Sequence, residues 1–172
     1  LFLIKTLKLL LKSKNLLKTA IPLAIAIVVV ILDQLSKLIV VNTMDLYESI
    51  KVIHGIINFT YVRNTGAAFS MFSDKTTLLT IVTSALIVGC IYVVVKDLFK
   101  SALVNWALVL CIGGGVGNMI DRIRLNYVVD FIECKLFEFP VFNFADIAIT
   151  IGSGLLCLYL IKELIPEKKE VK

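Results

Sequence analysis

Two aspartates stand where carboxyl groups are costly. Asp130 ends the apolar run Val128-Val129 and precedes Phe131, and Asp146 follows Phe142-Asn143-Phe144-Ala145 at the head of a second apolar stretch. Each alone could be a cap and nothing more. Two carboxyls brought together in a partly desolvated site cannot both ionise easily, so one pKa rises and the pair shares a proton. One acid can then take a proton from water while the other gives one to a carbonyl oxygen, which is hydrolytic chemistry that needs neither metal nor cofactor. Which acid starts protonated is not readable from the residues, because coupled titrations belong to the pair.

Further polar groups recur at the ends of apolar segments. Asp33, Gln34, Ser36 and Lys37 lie together, with Asp33 and Lys37 at i and i+4, a spacing for an ion pair on one helix face. In Val62-Arg63-Asn64-Thr65-Gly66-Ala67-Ala68-Phe69, Asn64 suits a turn and Gly66 permits close backbone approach. Asn118 and Asp121 share a helix face at i and i+3, with Arg122 beside them to neutralise a carboxylate. Asn143 precedes Asp146 by three residues, the spacing of an N-cap. The glycine run Gly113 to Gly117 lacks the Lys-Ser/Thr ending of a phosphate loop and follows a helix, so nucleotide binding is set aside.

The elements that must carry these groups are membrane spans. With 59% hydrophobic residues in 172, the chain has more apolar side chain than one soluble core would hide. A spanning helix needs about 20 mainly apolar residues, and the stretches Ile21 to Val41, Thr76 to Val95, Ser101 to Ile120 and Ala145 to Ile165 qualify. Pro22 is expected in the first turn of its helix, where a missing N–H does no harm. Gly113 with Gly117, and Gly152 with Gly154, suggest close helix contacts. Val52 to Val62, interrupted by Gly55, reads as one or two strands, and Tyr127 to Ile132 as a strand-like run followed by Phe137, Phe139 and Phe142.

These readings give an all-α membrane fold, a four-transmembrane-helix bundle with a small extracytoplasmic β-sheet lying on the membrane surface. Residues 1–20 form a lysine-rich extension, amphipathic or simply upstream of the core; 21–165 form one four-span domain; 166–172 form a cytoplasmic tail. The net charge of +5 comes from lysines at segment ends rather than from a patch interleaved with aromatics, which argues against nucleic acid. Eleven of the 18 Lys and Arg residues fall before the first span, in the turn after the second and at the chain end, so both termini are expected in the cytoplasm. A transporter would place polar groups at several depths and often show a repeated half, whereas these gather at one end with no repeat. A noncatalytic scaffold would make both acids caps.

The boxes Asp33 to Lys37 (DQLSK), Val62 to Phe69 (VRNTGAAF), Gly117 to Arg122 (GNMIDR), Val128 to Phe131 (VVDF) and Phe142 to Asp146 (FNFAD) resemble those of lipoprotein signal peptidase, signal peptidase II. They stand in the family's order. The resemblance implies an aspartic endopeptidase of the bacterial cell membrane that removes the signal peptide from prolipoproteins, cutting before a diacylglyceryl-modified cysteine. It assigns the catalytic dyad to Asp130 and Asp146, with Asn64, Asn118, Arg122 and Asn143 lining or bracing the site and Asp33 and Lys37 supporting it; Gly66, from its own position, is near enough to shape a substrate groove. It also implies sensitivity to the cyclic peptide globomycin, membrane lipid around the substrate and an active site on the extracytoplasmic side. The lysine-rich extension departs from the family pattern.

Overall fold

A computed structural model describes residues 2–66 and 76–165, with side chains from residue 20 onward. Ala67 to Phe69 of the second box, Lys75 and the tail 166–172 lie outside the described residues. The elements run α1 (Phe2–Thr43), β1 (Ser49–Ile53), β2 (Ile57–Asn64), α2 (Thr76–Lys96), α3 (Ala102–Leu125), β3 (Val128–Cys134) and α4 (Phe144–Leu164). Among the described residues, four stretches are long and apolar enough to cross a membrane: Ala20–Thr43, Thr76–Lys96, Ala102–Leu125 and Phe144–Leu164.

The centre of the bundle is α3, the most buried of the four spans, which packs against α1, α2 and α4. Its consecutive glycines face different neighbours, because successive residues step about 100° around a helix. A Cβ on Gly113 would meet Val29 at 2.8 Å, one on Gly114 would collide with the Ala145 carbonyl of α4, and one on Gly115 would press on Ile87 of α2 at 3.2 Å. Gly117 lies so close to Asp33 that a Cβ would stand 2.5 Å from its Oδ2. Of the second pair, Gly152 packs against the Ala107 carbonyl and Cys111, whereas Gly154 has nothing near it. Large apolar side chains such as Ile27, Ile81, Leu86 and Leu158 point outward, as a lipid environment allows.

Two expectations are corrected. Helix α1 begins at Phe2, so Pro22 lies inside it, where the missing N–H leaves the Lys18 carbonyl without its helical partner. The lysine-rich upstream residues belong to the same helix. Helix α3 continues past Ile120 to Leu125 and ends on Asn126, whose left-handed φ of 62° closes the helix with an N–H to the Arg122 carbonyl. Asp121 and Arg122 are therefore helical residues, tolerated because both reach polar partners across the bundle.

The three strands form an antiparallel sheet in the order β1-β2-β3. Gly55, at φ of 70°, turns β1 into β2, so the stretch around it is two strands. A shift of register between Phe59 and Val62 bends β2 against β3. One sheet face, with Tyr61, Val129 and Phe131, packs on Val40 and Met44 at the end of α1. The ring edge of Phe59 against Phe131, at 5.6 Å and 83°, adds to this contact.

Gly114→Ala is expected to lower the stability of the purified protein by ~1–3 kcal/mol, since the added methyl drives α4 from α3. Gly154→Ala, facing open space, should leave the thermal transition in detergent unchanged or slightly raised. Equal transitions for the two variants would count against glycine-governed packing of α3 on α4.

Candidate active site

Strand alternation aims Asp130. Val129 and Phe131 turn to the face that covers α1, so Asp130 points from the other face into a cavity of about 730 Å³. Its two carboxyl oxygens accept from Asn143 Nδ2 at 2.6 Å and Asn64 Nδ2 at 2.8 Å. Asn64 keeps this orientation because its own Oδ1 accepts the Gly66 N–H at 2.9 Å, a local turn of the kind its sequence position suggests.

Asp146 is placed by the start of α4. Asn143 is the N-cap: its Oδ1 accepts the Asp146 N–H at 2.9 Å, and its backbone N–H donates to Asp146 Oδ2 at 3.1 Å. The cap residue therefore holds Asp146 with its backbone and Asp130 with its side-chain amide. The other Asp146 oxygen accepts from Asn118 Nδ2 at 2.8 Å. Asn118 cannot turn its amide around without loss, because its Oδ1 accepts from Lys37 Nζ at 2.8 Å and Asn143 Nδ2 at 3.0 Å.

Lys37 is fixed between Asp33 Oδ2 at 2.9 Å and Asp121 Oδ2 at 3.1 Å. Asp33 also takes the Ala145 N–H at 3.0 Å, which ties α1 to the first turn of α4, and Asp121 takes the Val129 N–H at 3.1 Å, which ties α3 to β3. The i and i+4 pair expected of Asp33 and Lys37 is thus present and reaches further than one helix. The close countercharge of Asp121 is Lys37. Arg122 instead donates to the Gly66 carbonyl at 3.3 Å, and its buried Nε meets no hydrogen-bond partner among the described residues. Gly66 does not line the cavity; it holds Arg122, which does.

Gln34 was not singled out as a site residue. Its Nε2 lies 2.9 Å from Asp121 Oδ1, 3.1 Å from the Gly117 carbonyl and 3.2 Å from Asp33 Oδ2. An amide inside an apolar run beside an acid was the available signal. The cavity continues from the acids along Ile147, Ile149 and Ile151 of α4, with Thr83 of α2 and Gly115 of α3 opposite. It is polar at the acids and largely apolar between the helices.

Burial pushes the Asp130 carboxyl up to about 7, and the neighbouring Asp146 charge pushes in the same direction; the amides of Asn64 and Asn143 and the charge of Lys37 oppose them. A carboxyl in this state carries a proton for much of the time near neutrality. Together, the two acids can hold and pass a proton beside a space large enough for a peptide.

A family model described as signal peptidase (SPase) II matches residues 25–162. A lipoprotein signal peptidase of Lactobacillus johnsonii is 38% identical over 144 residues, covering 84% of this chain and 94% of its own length. One of Staphylococcus aureus is 40% identical over 151 residues, covering 86% of this chain and 93% of its own. Among solved structures, a bacterial membrane enzyme determined by the in meso method at 2.3 Å superposes with a TM-score of 0.82 at 37% identity, covering 89% of this chain and 95% of that one. A second, at 1.9 Å, gives 0.76 at 37% identity, covering 83% and 94%.

Carbon-13 NMR of carboxyl-labelled protein is expected to show Asp130 titrating near 7. In Asp146→Asn the like charge is gone while the burial stays, so this titration should move down and remain above the ordinary carboxylate range. An unmoved titration would mean that the two acids do not sense each other.

Proposed function

The chain belongs to the signal peptidase II family and is a membrane protease, and we propose that it is an aspartic endopeptidase that removes signal peptides from prolipoproteins before a diacylglyceryl-modified cysteine. The observation that carries this reading is Asn143, whose amide at 2.6 Å from Asp130 and backbone N–H at 3.1 Å from Asp146 hold the acids in one site. The form of the cavity supports the substrate. A peptide bond beside acyl chains needs polar groups at the reacting end and an apolar trough leading into the bilayer.

In this mechanism Asp146 takes a proton from a water as the water oxygen attacks the scissile carbonyl. Asp130, whose raised pKa leaves a large share of it protonated near neutrality, donates its proton to the carbonyl oxygen. The tetrahedral intermediate then collapses. The C–N bond breaks as Asp146 passes the proton it took from water to the leaving amine of the modified cysteine, and a hydroxyl of the intermediate returns a proton to Asp130 as the C=O bond re-forms. Arg122, on the cavity wall, donates from its guanidinium to a substrate carbonyl. Lys37, Asp33 and Asn118 keep Asp146 in place, and Asn64 does the same for Asp130.

The same proposal puts both termini in the cytoplasm and the dyad on the extracytoplasmic side, as the lysine and arginine distribution supports. Competition by globomycin for the cavity belongs to it as well.

Asp130→Asn and Asp146→Asn are each expected to cut kcat on a diacylglyceryl-modified prolipoprotein by at least about a hundredfold, the usual worth of a positioned acid or base. Either variant retaining a tenth of wild-type turnover would remove its residue from the dyad. The pH profile has a definite sign. Asp130 must be protonated to act as the acid, so kcat should fall as pH rises through about 7. Turnover that keeps rising to pH 9 would contradict this assignment.

A further inference from the structure

A second cavity, of about 680 Å³, lies beyond the first and shares Phe139 and Pro140 with it. Glu133 to Lys135 at the end of β3 form one wall, and Phe137 to Pro140 form the other. The shared ridge is braced by edge-to-face rings, Phe137 on Phe139 at 5.9 Å and Phe139 on Phe142 at 5.6 Å. Whereas the first cavity runs from the acids down between the helices, the second follows the sheet away from them.

The wall formed by β3 is a strand edge. Ile132 turns its N–H and C=O away from β2 and exchanges them with Phe142, at 2.7 and 3.0 Å. That bridge is isolated and stops at Ile132. Lys135 donates to the Ile56 carbonyl at 2.8 Å, so alternate residues at this end of β3 face β2. Cys134, one residue before Lys135 and two after Ile132, therefore directs its backbone toward the edge that borders the cavity. The acidic group there is already engaged: Glu133 accepts from Thr60 and Lys135, each at 2.6 Å. Recognition on this wall falls to main-chain groups, which read an extended peptide without regard to its side chains.

Resting on the function proposed above, we propose that this second cavity holds the substrate chain downstream of the cut as an extended strand paired to the β3 edge at Cys134. The occupant follows from continuity. The signal segment occupies the membrane side of the scissile bond, and the Phe139–Pro140 ridge joins the cavity at the acids to the second one, which gives the polypeptide past the cut a continuous path along the sheet. Asp130 and Cys134 are four residues apart, about 13 Å along a strand at ~3.3 Å per residue, which matches three to five substrate residues past the cut. Pairing through backbone also suits an enzyme whose substrates differ in sequence after the modified cysteine.

The test uses the wild-type chain in detergent with three synthetic substrates that share a signal segment and a diacylglyceryl-cysteine. One ends a single residue after the cysteine, one carries eight more, and the third is the long substrate N-methylated at the third to fifth residues after the cut. The long substrate should have a KM roughly fivefold lower at unchanged kcat, the worth of about one net backbone hydrogen bond, and N-methylation should remove that advantage. Cys134→Pro deletes the edge N–H at a position of the kind where edge strands accept proline, and should raise KM for the long substrate alone; Cys134→Ala should leave it unchanged. Equal KM for short and long substrates, or indifference to N-methylation, overturns the inference even if Cys134→Pro fails to fold. A Cys134→Pro effect of the same size on both substrates also overturns it. Failure of the wild type to cut either substrate overturns the proposed function, and the inference with it.

Discussion

Lys37 places one ammonium among Asp33, Asp121 and the Asn118 oxygen, at 2.9, 3.1 and 2.8 Å, at only 3% exposure. Removing charges from water is costly enough that such a group persists only with complete geometry, and loss of one partner strands the others. The remaining polar architecture is built outward from this point. Asp33 reaches the backbone of α4, Asp121 reaches the backbone of β3, and Asn118 reaches Asp146. One cation thus indexes three helices and a strand to each other, and the two acids acquire their positions from that indexing.

The glycines of α3 make the indexing possible. A bundle spaced by ordinary side chains would leave Asp33 too far from the Ala145 N–H and the Gly117 backbone too far from Gln34. Close approach at Gly114 and Gly117 shortens these links to hydrogen-bond length. Packing and polar chemistry are therefore not separate layers here. The small residues set the distance, and the polar groups fix the register.

Local signals were legible in the sequence. Apolar length marked the four spans, Asn143 announced a helix start, Gly55 marked the β-turn and the ordered boxes pointed to the two acids that Asn143 holds together. What was hidden depends on pairs far apart along the chain. Lys37 meets Asn118 across 81 positions and Gln34 meets Asp121 across 87, and no helix-face rule reaches that distance. The Gly66 carbonyl as partner of Arg122 was hidden for the same reason, since it lies 56 positions away. Helix α3 runs five residues beyond its apolar stretch, to Leu125, because Asp121 is paired with Lys37 inside the bundle and Asn126 supplies the left-handed end.

The Asn143 capping box joins two events that most proteins keep apart. The hydrogen bonds that start α4 are also the ones that bring Asp146 toward Asp130. Fraying of a single helical turn would separate the acids while the spans stayed in the bilayer. Without that first turn of α4 the two carboxyls would stand apart, so their paired arrangement forms only once the last helix of the bundle is wound at its head.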